Sequence, residues 1–74
     1  SIKLSRENPG NISNNNILGR IIEVIPSEYG MEITIESGDL FYINVPGDLY
    51  QSEKFIEGED VWMSFPPDEI VLLN

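Results

Sequence analysis

The stretch MEITIE at residues 31–36 alternates apolar and polar side chains without interruption. Because successive side chains of a β-strand point to opposite faces, this period of two predicts a strand with one apolar and one polar face. The triplet Ser37-Gly38-Asp39 then has the composition of a tight turn. Residues 40–45 follow with apolar side chains at every second position, so residues 31–45 predict a β-hairpin.

Further strands are predicted on both sides of this hairpin. Residues 17–25 (ILGRIIEVI) are rich in β-branched side chains, residues 61–65 alternate again, and residues 70–73 form a last short apolar segment. Residues 48–55 lack the period of two and predict a short helix before the fourth strand. Closing a sheet removes its unpaired edges, so the sequence predicts an all-β fold, a small five-stranded OB-like barrel. A five-stranded sandwich is the alternative.

The region before the first predicted strand has a different composition. Residues 8–16 read NPGNISNNN, a run of residues that favour turns and irregular backbone. We therefore expect residues 1–12 to be a linker or arm and residues 13–74 to be the barrel.

The composition excludes several classes of function. Thirteen acidic residues face four basic ones, for a net charge of −9, and the chain has neither cysteine nor histidine. Zinc sites of cysteine and histidine, cysteine nucleophiles and histidine-based triads are therefore excluded. The acidic balance argues against nucleic acid, whose phosphates need clustered Lys and Arg. No apolar run approaches the 18 residues of a membrane span.

The acidic residues do not form a pattern typical of a site. Glu32 and Glu36 lie on one predicted strand face but ~13 Å apart, too far for the carboxylate pair of a retaining glycosidase. The acidic turn at 57–60 does not match a calcium-binding loop. We therefore expect no catalytic residues and no metal site.

The aromatic residues favour a role in protein contacts. Phe41 and Phe65 fall on the core-facing positions of their strands, whereas Tyr42 and Trp62 fall on the opposite face. The short helical segment contributes further large side chains. The predicted interface residues are Tyr42, Leu49, Tyr50, Phe55 and Trp62.

Four pieces of the sequence carry a resemblance to a known family. They are Asn15-x-Ile17-x-Gly19-x-Ile21, the strand at 31–36, Gly58-x-x-Val61, and SFPPDEIVLL at residues 64–73. Together they resemble a TOBE domain, the C-terminal β-barrel module of the ATP-binding subunits of ABC importers, which is related to the molybdate-binding Mop domains. The resemblance covers about residues 13–73, and residues 64–73 are its most specific part.

The resemblance implies a non-catalytic domain that regulates or stabilises a dimer of ATP-binding subunits. The ATP chemistry would belong to an upstream ATPase domain, since this sequence has no phosphate-binding loop of the type G-x-x-x-x-G-K-[ST]. Its implied partners are the twin domain in the parent ATPase homodimer, the upstream ATPase domain and, indirectly, the membrane subunits. We expect no cofactor in this fragment, no direct membrane insertion, and a cytoplasmic location at the inner face of the membrane.

The alternative function is a molbindin-like site for an oxyanion such as molybdate or tungstate. Related Mop domains carry Ser-Ala-Arg before the asparagine that aligns with Asn15, where this chain has Ile12-Ser13-Asn14. The arginine is thus replaced, and Glu59 stands where the family often has a basic residue. Backbone N–H groups can still bind an anion in such a loop. Ser13, Asn14 and Asn15 are the predicted oxyanion-binding residues.

Overall fold

The fold consists of one antiparallel sheet and one short helix in a computed structural model that describes residues 2–10 and 15–67. This confirms the predicted fold class, all-β and OB-like with a single helix before the last described strand. The elements are β1 (Lys3–Ser5), β2 (Asn15–Ser27), β3 (Gly30–Ser37), β4 (Asp39–Pro46), α1 (Gly47–Glu53) and β5 (Asp60–Phe65).

The five strands follow the order β1-β5-β2-β3-β4, and every neighbouring pair is antiparallel. The sheet is curved into a half-barrel, with β1 and β4 as its two edge strands. β2 lies at the centre because its first half pairs with β5 and its second half pairs with β3. A register shift between Ile21 and Glu23 lets this long strand bend from one neighbour to the other.

Gly19 permits the close packing at this bend. It pairs with Val61, and a Cβ atom at this position would lie 2.5 Å from Cγ2 of Ile35. The glycine inside the first predicted strand therefore marks a close approach of two strands, one of the roles expected of glycine there.

The core lies on the concave side of the sheet. In β3 and β4 the central apolar positions of the alternating pattern are buried, as the sequence predicts, whereas Met31 and Phe41 are half-buried. Phe41 and Phe65 are half-buried and pack against this core, with their ring centroids 5.9 Å apart. The buried apolar residues are Ile21, Ile33, Ile35, Ile43, Val45, Phe55, Val61 and Met63.

The helix is shorter than predicted and ends at a left-handed residue. Lys54 has a φ of 52° and its N–H donates to the carbonyl of Tyr50 at 2.7 Å, which closes the last turn. The chain then reverses direction and carries Phe55 into the core. No helix among residues 2–10 and 15–67 is long and apolar enough to cross a bilayer.

The first strand lies in the segment that the sequence predicts as a linker or arm. Lys3, Leu4 and Ser5 pair with Ser64, Met63 and Trp62. A three-residue strand has no periodicity that could reveal it, and its partner lies about 60 residues away in the chain. The predicted strand at 70–73 lies outside the described residues, and the division of the chain at residue 13 stays a prediction.

Candidate interaction surfaces

The convex side of β2, β3 and β4 forms three rows of side chains, which we call the outer face. Alternation with the buried positions fixes which side chains point outward, and the register of the strands fixes the rows. From one end to the other, the rows are Arg20–Glu36–Leu40, Glu23–Thr34–Tyr42 and Ile25–Glu32–Asn44.

The outer face is acidic. Each row contains one glutamate, and the only cation of the three rows, Arg20, has its Nε 3.3 Å from an Asp60 carboxylate oxygen. Glu36 accepts a hydrogen bond from the N–H of Gly38 at 3.0 Å. Within the described residues, Glu23 and Glu32 form no ion pair. The face therefore presents an excess of negative charge.

Thr34 occupies the centre of the outer face. It is only 4% exposed, although its strand neighbours Ile33 and Ile35 point to the opposite side. Glu23 and Tyr42 flank it on the adjoining strands. Its Oγ1 is buried and has no hydrogen-bond partner. A buried hydroxyl without a partner carries a free-energy cost.

The structure divides the predicted interface residues between surface and core. Tyr42 is 62% exposed on the outer face, Leu49 is 46% exposed on α1, and Trp62 is half-buried on β5. Tyr50 is half-buried and its hydroxyl donates to the carbonyl of Phe55 at 3.2 Å. Phe55 itself is 1% exposed, so the reversal after Lys54 makes it a core residue and not a surface one.

A second surface lies between the two edge strands, which do not pair with each other in the described sheet. We call it the edge groove. It is a cavity of about 440 Å³ with mainly apolar walls. Ile2 and Leu4 lie on one side, and β4 and the first turn of α1 lie on the other. The side chains of β4 and α1 that line it are Ile43, Asn44, Val45, Pro46 and Leu49.

The predicted oxyanion site falls largely outside the described residues, which include Asn15 but neither Ser13 nor Asn14. Asn15 pairs with Phe65 at the start of β2. It also lines a cavity of about 380 Å³ whose other walls are Asn16, Ile17, Phe41 and Phe65. Apolar walls do not single out an anion as the occupant, so the oxyanion site stays a prediction.

Arg6, directly after β1, lies at the centre of a cluster that the sequence does not predict. Its other members are Glu53, Phe55 and Glu59. The Nε of Arg6 donates to Glu59, its Nη1 lies 3.0 Å from Oε1 of Glu53, and its Nη2 donates to the Glu53 carbonyl at 2.7 Å. The guanidinium also stacks 4.8 Å from the ring centroid of Phe55. The cluster fastens β1 to the end of α1, and only tertiary structure brings these residues together.

The cluster makes the stability of the fold depend on pH. The hydrogen bond from Arg6 lowers the pKa of Glu59 below its usual value; partial burial opposes this, and the N–H of Ile56 adds to it. A carboxyl whose pKa is lowered by folding stabilises the folded state above its ordinary pKa. That contribution is lost as the pH falls through the lower, folded-state value.

We therefore expect Glu59→Gln to destabilise the fold near neutral pH and to matter less in acid. The measurement is a series of thermal melts of wild type and variant between pH 3 and pH 7. Glu57→Gln, an exposed neighbour in the same turn, is the control for loss of one charge. A difference between wild type and Glu59→Gln that stayed constant across this range would contradict the assignment.

The described residues hold no group of three or more acidic side chains arranged to bind a metal ion. Glu32 and Glu36 share the outer face, as predicted, in rows on either side of Thr34.

Comparison of the chain with protein-family models, with curated proteins and with solved structures found no match. The likeness to TOBE domains therefore rests on the sequence pieces quoted above.

Proposed function

We propose that the chain is a non-catalytic, TOBE-like interaction domain of the ATP-binding subunit of an ABC importer, where it stabilises the dimer of that subunit. The all-β, OB-like fold supports this proposal, because it is the fold that the resemblance implies. The twin domain and the upstream ATPase domain are then its direct partners. The membrane subunits are its indirect partners, and the domain works at the cytoplasmic side of the membrane.

The edge of β4 that no other described strand covers is the observation that carries the proposal. β4 is eight residues long and no other described strand covers its outer edge. A long edge strand without protective charges is a ready site for contact with another chain. Its sequence, DLFYINVP, contains one acidic residue, at its first position. This edge thus avoids the repulsion that two chains of net charge −9 would meet at most other surfaces.

Leu49 makes this contact testable because it is exposed beside the edge and lines the edge groove. We expect the chain to dimerise and Leu49→Lys to weaken the dimer about tenfold, the effect of losing one apolar interface residue. Sedimentation equilibrium of both proteins measures the dissociation constant.

Leu18→Lys is the matched control. Leu18 is 48% exposed, against 46% for Leu49, and lies on β2, away from the β4 edge. The dimer of the Leu18→Lys variant is expected to have the same dissociation constant as the wild-type dimer. Equal weakening by the two substitutions, or a chain that stays monomeric at every concentration, would overturn the proposed contact.

A further inference from the structure

We propose that the outer face is a second docking surface, separate from the edge of β4, for a partner protein segment that presents Lys or Arg around an apolar side chain. Such a site adjoins the dimer contact proposed above, since Asn44 belongs to both the outer face and the edge groove, but it uses a different side of the sheet. It uses the convex side of the sheet, whereas the dimer contact uses the strand edge beside α1.

The positions of the three glutamates set the charge of the partner. Glu32 and Glu36 lie on β3, four residues and therefore ~13 Å apart, and Glu23 lies on β2 opposite Thr34. The three carboxylates thus surround the centre of the face. Glu23 and Glu32 form no ion pair among the described residues, so both are available to cations from outside. Lys and Arg side chains are long enough to reach them from an apposed segment.

The exposed apolar side chains set the second feature of the partner. Tyr42 stands beside Thr34 in the middle row, and Leu40 and Ile25 lie in the outer rows. All three are exposed. Tyrosine is enriched at protein interfaces because it combines a large apolar ring with a hydroxyl. An apolar side chain packed against Tyr42 would also remove water from the carboxylates around it, which strengthens their attraction to cations.

Thr34 is an independent observation at the same place. Its hydroxyl is buried at the centre of the face and has no hydrogen-bond partner. Because this oxygen has almost no exposed surface, a segment that covers the face can supply a polar group to it only after the side chains over it move aside. The three rows of the outer face therefore contain the acidic residues, the exposed tyrosine and the unpartnered hydroxyl.

Charge also decides among the kinds of partner. A second copy of this chain, a nucleic acid and an anionic membrane all carry negative charge and are repelled by three glutamates. A basic protein segment is attracted, and its association is faster at low ionic strength. The salt dependence of binding is therefore part of the proposal.

The test uses three synthetic octapeptides as probes, titrated into the full chain and followed by isothermal calorimetry. One alternates Lys and Val, one alternates Glu and Val, and one alternates Lys and Ser. We expect the Lys–Val peptide to bind, the Glu–Val peptide not to bind, and the Lys–Ser peptide to bind more weakly. Binding of the Lys–Val peptide is expected to weaken as salt is raised.

Variants of equal charge show whether the outer face is the site. The double variant Glu23→Gln/Glu32→Gln is expected to bind the Lys–Val peptide about fivefold more weakly than the wild type does. Glu7→Gln/Glu57→Gln removes the same charge from exposed positions elsewhere and is expected to change affinity less than about twofold. Equal weakening by the two double variants would show general attraction to an acidic protein and would overturn the proposal.

Two exposed tyrosines give a second matched pair. Tyr42→Ala is expected to weaken binding of the Lys–Val peptide, whereas Tyr29→Ala, in the turn between β2 and β3, is expected to leave it unchanged. Circular dichroism of each variant confirms that it is folded. Absence of binding to the folded wild type, or equal effects of the two substitutions, would overturn the proposal. Neither result would bear on the dimer contact, which is measured without peptide.

Discussion

Phe55→Ala is expected to destabilise the fold by about 3–5 kcal/mol, the range found when a buried phenylalanine is truncated. Phe55 is the largest of the fully buried side chains. Its removal would leave a cavity between α1 and the sheet, and Arg6 would lose the ring on which it stacks. The loss therefore combines apolar burial, packing and a cation–π contact.

A loss of this size is large for so short a chain. Domains of 74 residues have a total stability of roughly 4–11 kcal/mol on the usual scale per residue. Phe55→Ala is thus expected to lower the melting temperature by at least about 12 °C. Urea denaturation followed by circular dichroism gives the free energy directly.

Ile56→Ala is the control for Phe55→Ala, since Ile56 is the next residue but is exposed. Its effect is expected to stay within about 0.5 kcal/mol. If Phe55→Ala and Ile56→Ala lowered the free energy of unfolding equally, the burial of Phe55 after Lys54 would be contradicted.

Gly30→Ala is the second substitution with a large expected effect. A Cβ atom at this position would lie 2.1 Å from the carbonyl oxygen of Val45 and 2.9 Å from the backbone nitrogen of Gly47. These neighbours are backbone atoms of β4 and α1, which cannot rotate away as a side chain can. Relief requires β3 and β4 to separate where Gly30 pairs with Pro46.

We expect Gly30→Ala to cost about 3 kcal/mol or more, at the upper end for overpacking. Gly47→Ala is the matched control because no atom lies within 4 Å of a Cβ there and the residue begins α1. Alanine favours a helix over glycine, so this control is expected to be neutral or to stabilise by up to about 1 kcal/mol. Thermal melts of both variants measure this difference in stability. A Gly30→Ala protein as stable as the Gly47→Ala control would contradict the close approach of Gly30 to β4.

The parts of the fold that the sequence predicts are those with a local signal. The alternation in residues 31–36 and 40–45 correctly places Ile33, Ile35, Ile43 and Val45 inside. It also places Tyr42 outside and Phe41 towards the interior. These assignments need only the period of two along a strand and its register with the next strand.

The parts that the sequence does not predict depend on contacts between distant residues. β1 is too short for periodicity, and the partners of Arg6 lie 47 and 53 residues further along the chain. Phe55 lacks a strand pattern, so its burial depends on the backbone reversal at Lys54. Likewise, the outer face can be recognised only from the register of the strands, which places Glu23, Thr34 and Tyr42 side by side.

The pairing of β1 with β5 has a consequence for synthesis on the ribosome. Lys3 is made before the residues of every other described strand, but it pairs with Ser64, about 60 residues further along. The hairpin of β3 and β4 can form early, since its strands are joined at Gly38. β1, by contrast, must wait for β5 to leave the exit tunnel, and its ordering then closes a loop of about 60 residues. Although β1 is translated before the other described strands, it is therefore among the last of them to be ordered.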